Sequence, residues 1–134
     1  MIVMKILPQQ VYGLWDRIAE LLGKAIPYAG GDYSLDQVKL YLTSGQWSLL
    51  GIFKDKELTG AISISFMNMP NDRIAYITLV GGKNVINPDT YQQFKTILKD
   101  HNATKIQGGA RPSVARLWRR LGFRERYILV ENTL

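Results

Sequence analysis

Val114-Ala115-Arg116-Leu117-Trp118-Arg119-Arg120-Leu121-Gly122-Phe123 reads as a helix, its stop and the approach to a strand. Val114, Leu117, Trp118 and Leu121 recur at the spacing of a single helical face, which predicts a helix over Pro112–Leu121. Gly122 follows the last periodic residue, where a left-handed C-terminal cap is needed. Arg124–Val130 then reads as the last strand, and Lys105–Gln107, just upstream of the helix, as a short one. The segment is therefore a β-α-β unit.

Working back from it, Pro88–Asp100 is a second helix, with Pro88 in its first turn and Asp89 at its positive end. Tyr91, Phe94, Leu98 and His101 mark its buried stripe, and His101 sits where it can meet the last carbonyls. Three strand-like runs precede it: Trp47–Phe53, Leu58–Met67 and Arg73–Val80. The polar Lys54-Asp55-Lys56-Glu57 separates the first two as a hairpin turn. Alternation places Ala61, Ser63 and Ser65 on one face and Ile62, Ile64 and Phe66 on the other. Ser34 and Gln37 form a capping-box pair that opens a helix carrying Leu35, Val38 and Leu42 and ending near Gly45. Val11, Leu14, Trp15, Ile18, Leu21, Leu22 and Ala25 predict an amphipathic helix closed by Pro27, and Ile2–Leu7 a strand before it. The order β-α-α-β-β-β-α-β-α-β joins an antiparallel meander to a β-α-β unit. The expectation is one α/β (α+β) domain over residues 1–134, its mixed, mostly antiparallel sheet covered by helices. Ligands of such sheets bind where neighbouring strands diverge.

The 134 residues are 46% hydrophobic and 21% charged, which excludes a disordered or collagen-like chain. Without cysteine there is no disulfide, thiolate metal site or cysteine nucleophile. His101 is the only histidine, which argues against a histidine metal cluster and a serine–histidine triad. Met1–Lys24 lacks a signal-peptide pattern and no apolar run is long enough to span a bilayer, so the cytoplasm is the expected compartment. Lysine and arginine outnumber acids 17 to 11, and six of the eight arginines lie between Arg111 and Arg126. This cluster suits an anionic partner: phosphates, nucleic acid or an acidic protein surface. Nucleic acid is the weaker version, because no aromatic–basic interleaving accompanies the charge. Arg116, Arg119 and Arg120 lie off the apolar stripe and also fit a plain solvated face.

The element order and the Leu121-Gly122-Phe123 helix end resemble the GNAT superfamily of acyl-CoA-dependent N-acyltransferases. A narrower resemblance, to small GNAT-like proteins of tailed bacteriophages, rests on Tyr33-Ser34-Leu35, Gly81-Gly82 and Gly109-Ala110-Arg111-Pro112. The superfamily resemblance implies a GNAT-like fold (the acyl-CoA N-acyltransferase fold) and acetyl-CoA or another acyl-CoA as cofactor. It also implies a pyrophosphate loop between the fourth strand and the next helix. That junction here is Val80-Gly81-Gly82-Lys83-Asn84-Val85-Ile86-Asn87-Pro88-Asp89, without the loop's glycine spacing. Trp118 stands where many members carry an acidic tyrosine, and Arg111 where they carry an asparagine. Neither Leu58–Met67 nor Arg73–Val80 holds a carboxylate base.

Two functions follow from the resemblance. The departures favour a non-catalytic phage protein acting in virion assembly or as a virion component, in the host cytoplasm or the particle. Its partner would be a phage structural or other protein with an acidic surface, met by Arg116, Arg119, Arg120 and Arg124. The alternative is an N-acyltransferase with an atypical site. Leu79, Gly81, Gly82, Lys83 and Arg111 would then hold the cofactor or another small anion, with a main-chain N–H near Leu79–Gly81 for the oxyanion and a water near Tyr76 for the proton. Each residue also has a structural reading: Gly81-Gly82 as a positive-φ turn, Arg111 as a loop brace, and Tyr76 and Trp118 as packing.

Overall fold

The computed structural model describes residues 1–84 and 86–134. Val85, inside the junction quoted above, lies outside the described residues. Strand β1 (Ile2–Ile6) leads into helix α1 (Pro8–Gly23), a single 3-10 turn (Ile26–Tyr28) and helix α2 (Leu35–Thr43). Strands β2 (Ser48–Lys54), β3 (Glu57–Asn68) and β4 (Arg73–Gly81) form the meander. Helix α3 (Pro88–Asp100), strand β5 (Lys105–Gly108) and helix α4 (Pro112–Arg119) complete the order. The strands lie side by side in chain order, antiparallel throughout except for the parallel pair β4–β5.

Local chemistry accounts for these elements. Gln37 N–H bonds to Ser34 Oγ at 3.2 Å, and Ser34 N–H to Gln37 Oε1 at 2.9 Å, so the capping box is reciprocal. Ser34→Ala should lower stability by about 1 kcal/mol, read as a shift of the denaturant midpoint without a change in slope. The β2–β3 hairpin turns through Asp55 and Lys56, both at positive φ (51° and 68°), the twist that a two-residue connection requires. His101 ends α3, its Nδ1–H donating to the Ile97 carbonyl at 2.9 Å.

The sheet separates two cores, as the alternation on β3 requires. Ala61 faces Ile18, Leu22, Val38 and Leu42 of α1 and α2. Ile62 and Ile64 face Phe94 and Leu98 of α3. Full burial of each such aliphatic side chain stabilises by about 1.5–3 kcal/mol. Ser63 falls in the α1 layer and is fully buried, but its hydroxyl lies 2.6 Å from that of Thr78, which also donates to the Ser63 carbonyl. Trp47 is held between the rings of Tyr33 and Tyr41.

The starts of β4 and β5 are tied by Asp72, which meets Lys105 Nζ at 2.9 Å and accepts from Thr104 Oγ1 at 2.9 Å. The Lys105 hydrogen bond, then that from Thr104, holds the Asp72 carboxyl below the ordinary aspartate value. A depressed folded value contributes stability above the unfolded value, and that contribution disappears as pH falls through the folded one. Asp72→Asn should therefore lower Tm near neutral pH. The gap from the parent should close in acid below the ordinary aspartate range.

The C-terminal region departs from the sequence expectation. Arg124–Val130 is not a strand: residues 123–134 carry no regular structure, and Ile128, Leu129 and Val130 are 84–87% exposed. A strand exists only where a neighbour completes its ladder, and among the described residues no strand is hydrogen-bonded to this segment. Helix α4 also stops at Arg119, and Leu117 of its apolar stripe is 57% exposed instead of buried. The stop itself follows the expectation for Gly122, which takes φ 99°. Phe123 N–H bonds to the Trp118 carbonyl and Gly122 N–H to that of Arg119, while the Phe123 ring packs on Trp118.

Candidate active-site cleft

Strands β4 and β5 pair only from Ile74–Lys105 to Ile77–Gly108. β5 then turns away through Gly109 and Ala110 into α4, while β4 continues to Gly81. A register shift accompanies the parting: Ile64 pairs with Ile77 and Ser63 with Leu79, so Thr78 is an extra residue on β4. Such a bulge bends a strand and re-aims the side chains that follow. Leu79 consequently joins the α1 core although Ile77 packs toward α3. The result is a wedge of about 880 Å³ between the diverging strands.

One wall is Tyr76–Lys83, and the other is formed by Gly109, Arg111, Val114 and Trp118. The end of α1 and the turn after it contribute Lys24, Tyr28, Asp32 and Tyr33. Tyr76, Leu79, Gly81, Gly82, Lys83 and Arg111 are thus brought to one cleft. Arg116, Arg119, Arg120 and Arg124 are not among the residues that line it; all four are exposed, and Arg119 pairs with Glu125 at 2.7 Å.

The two glycines do different work. A Cβ on Gly81 would overlap the carbonyl of Leu21, because the end of α1 lies directly on the end of β4. Gly82 takes φ 115°, and Asn84 after it takes φ 54°, so the chain turns sharply as it leaves the sheet. Arg111 precedes α4, and its guanidinium lies 3.8 Å from the centre of the Tyr28 ring, across the mouth of the wedge. Tyr76 packs against Gly109, where an added Cβ would lie 3.3 Å from the phenol oxygen. Trp118 closes the bottom, its ring about 3.0 Å from a Cβ placed on Gly108.

Arg17 also borders the wedge, but its Nε donates to the Leu58 carbonyl at 2.9 Å and it pairs with Glu20 at 3.0 Å. Lys24, Lys83 and Arg111 have no ion pair among the described residues. Among the described residues, Asp32 is the one carboxylate on the lining. Burial, reinforced by the charge of Asp32 and by Tyr76 and Tyr41, raises the Tyr33 phenol above its ordinary value, so it remains a donor at neutral pH.

The wedge fits acyl-CoA in charge and in form, with an open strand edge at β4 and three cations for phosphate oxygens. Among the described residues, amides at the start of α3 are already occupied. Thr90 N–H is bonded to Asn87 Oδ1 and Tyr91 N–H to the Asn87 carbonyl, while Pro88 has no N–H. The first turn of α3 is therefore capped by its own residues.

Sequence reasoning missed Lys24, Tyr28, Asp32 and Tyr33, which line the cleft from the end of α1 and the turn after it. Gly30 and Gly31, both at positive φ, mark a turn there, whose direction the sequence does not show.

This arrangement of helices about a splayed mixed sheet is the GNAT acetyltransferase fold. Solved structures match the whole chain. A probable acetyltransferase superposes with TM-score 0.71 at 14% identity, over 100% of this chain and 97% of that one. An aminoglycoside acetyltransferase from an uncultured soil metagenomic sample gives 0.70 at 18% identity, over 99% and 97%. The ribosomal-protein-alanine N-acetyltransferase of Brucella melitensis biovar Abortus 2308 gives 0.68 at 13% identity, over 100% of both. A scan against protein-family models finds no match, and neither does a search of curated proteins. No helix among the described residues is long and apolar enough to cross a membrane.

Proposed function

We propose that the protein is an acyl-CoA-dependent N-acyltransferase with an atypical site. The observation that carries this reading is the open β4–β5 wedge lined by Lys24, Lys83 and Arg111. Bound acetyl-CoA would supply an acyl group activated as a thioester. Lys83 and Arg111 would neutralise phosphate charge, in place of the α3 amides that Asn87 occupies. The carboxylate that the central strands lack is offered instead by Asp32. It lines the same wedge and can accept a proton from an incoming amine, directly or through a water held by Tyr33 or Tyr76. A thiolate with a pKa near 8.5 leaves without a protein acid, so Trp118 at the helix position is no obstacle.

The experiment is a thiol-release assay with acetyl-CoA and a panel of primary amines. Acceptor-dependent release is expected, and Asp32→Asn should slow it by about a hundredfold or more. No release with any amine would remove the catalytic reading.

A second reading is favoured by the exposed arginines Arg116, Arg120 and Arg124 on and after α4. In it the fold is a non-catalytic phage component that docks an acidic protein surface through this face. Its test is the presence of the protein in purified particles, lost on reversing these three charges to glutamate.

A further inference from the structure

Residues 127–130 are a run of four exposed apolar side chains. Tyr127, Ile128, Leu129 and Val130 are 70–87% exposed, and among the described residues no main-chain hydrogen bond involves 124–134. The segment nevertheless has a defined course. Arg126 lines the same trough as Lys105, at the start of β5. Leu129 lines the wedge, as does Gly109 just beyond the end of β5. It therefore runs alongside β5 in the same direction. A trough of about 360 Å³ separates the two, with α3 forming its wall.

Both edges of that trough lack a partner: β5 pairs only with β4, and the segment pairs with nothing. We propose that the missing strand is the same segment of a second copy of this chain. Two copies of 124–130 paired antiparallel about a two-fold axis satisfy both edges at once. Each segment then lies between its mate and the β5 of the other copy. The sheet runs β5, partner segment, own segment, partner β5, a closed contact with no edge left over.

The sequence suits that position. Arg124, Arg126, Ile128 and Val130 share one face and Glu125, Tyr127 and Leu129 the other, the period of a strand. Arg124 and Arg126 line the trough beside α3, while Leu129 lines the acyl-transfer wedge, so the two faces already point to opposite sides. Charge selects the register. An axis through Ile128 sets Glu125 against Glu131 of the partner, whereas an axis through Tyr127 or Leu129 avoids that pair. Since Leu129 is part of the wedge wall, pairing also fixes one wall of the site. The inference does not depend on the acyltransferase reading.

The test is the mass in solution, by light scattering at micromolar concentration. The expected result is twice 15.2 kDa. Ile128→Pro should raise the dimer dissociation constant roughly a hundredfold. Its far-UV spectrum should keep the helical signal of the folded chain and lose only the strand contribution of 124–130, because a single chain makes no main-chain bond there. The chain has no cysteine, so a single one reports the axis. Tyr127→Cys or Leu129→Cys should oxidise to a covalent dimer, since facing antiparallel residues lie about 4.5–5.5 Å apart, within disulfide range. A monomeric parent chain would overturn the proposal, including one in which an acidic peptide fills the trough. So would a dimer unaffected by Ile128→Pro, or failure of both cysteines to cross-link.

Discussion

Gly81→Ala is expected to lower stability by about 3 kcal/mol, and Tm by roughly 10 °C. The new methyl would overlap the Leu21 carbonyl, a main-chain group that cannot rotate aside. Either α1 or the end of β4 must move, and both also carry the wedge, through Lys24 on one side and Leu79 on the other. Gly13→Ala supplies the opposite sign. Gly13 lies inside α1 with nothing within 4 Å of an added Cβ, so the change should stabilise by about 0.5–1 kcal/mol. Thermal unfolding of the two variants beside the parent separates overpacking from a general intolerance of alanine. An unchanged Tm for Gly81→Ala would mean that α1 does not rest on β4 as described.

Arg111→Ala should weaken acetyl-CoA binding by about 10- to 100-fold, the loss expected for a charge-assisted hydrogen bond. Stability should barely change, because the contact that Arg111 makes with Tyr28 is exposed and worth about 0.5–1 kcal/mol. Calorimetric titration of the parent, Arg111→Ala and Lys83→Ala checks this. Rising salt should weaken the parent most and the doubly substituted protein least. Equal affinities for parent and variants would place the phosphates elsewhere.

What could be read in advance follows from the range of each interaction. The capping box of Ser34 and Gln37, the left-handed Gly122 and the alternation of Ile62 and Ile64 are decided within a few residues, and each stands where the pattern placed it. The last strand was misjudged by the same method. Arg124–Val130 has the composition of a strand, but strand formation is settled by a neighbour, and one segment's pattern cannot supply it. Leu117 failed for a related reason: helical spacing shows which residues share a face, not whether anything covers it. The site was half legible. Lys83 and Arg111 flank turns in sequence and do meet at the wedge. Asp32 and Tyr28 come from the turn after α1, which is distant in sequence from β4 and α4 and joins their cleft only in the fold. The Thr78 bulge that opens the cleft left no mark in the alternation of Arg73–Val80.

Backbone amide shifts in an NMR titration with acetyl-CoA distinguish the β4–β5 wedge from the trough beside α3 as the proposed seat of the acyl carrier. The largest changes are expected at Leu79–Lys83 and Gly109–Arg111, saturating together. Changes confined to Lys95, Lys105 and Arg124, or none at millimolar acetyl-CoA, would exclude the wedge.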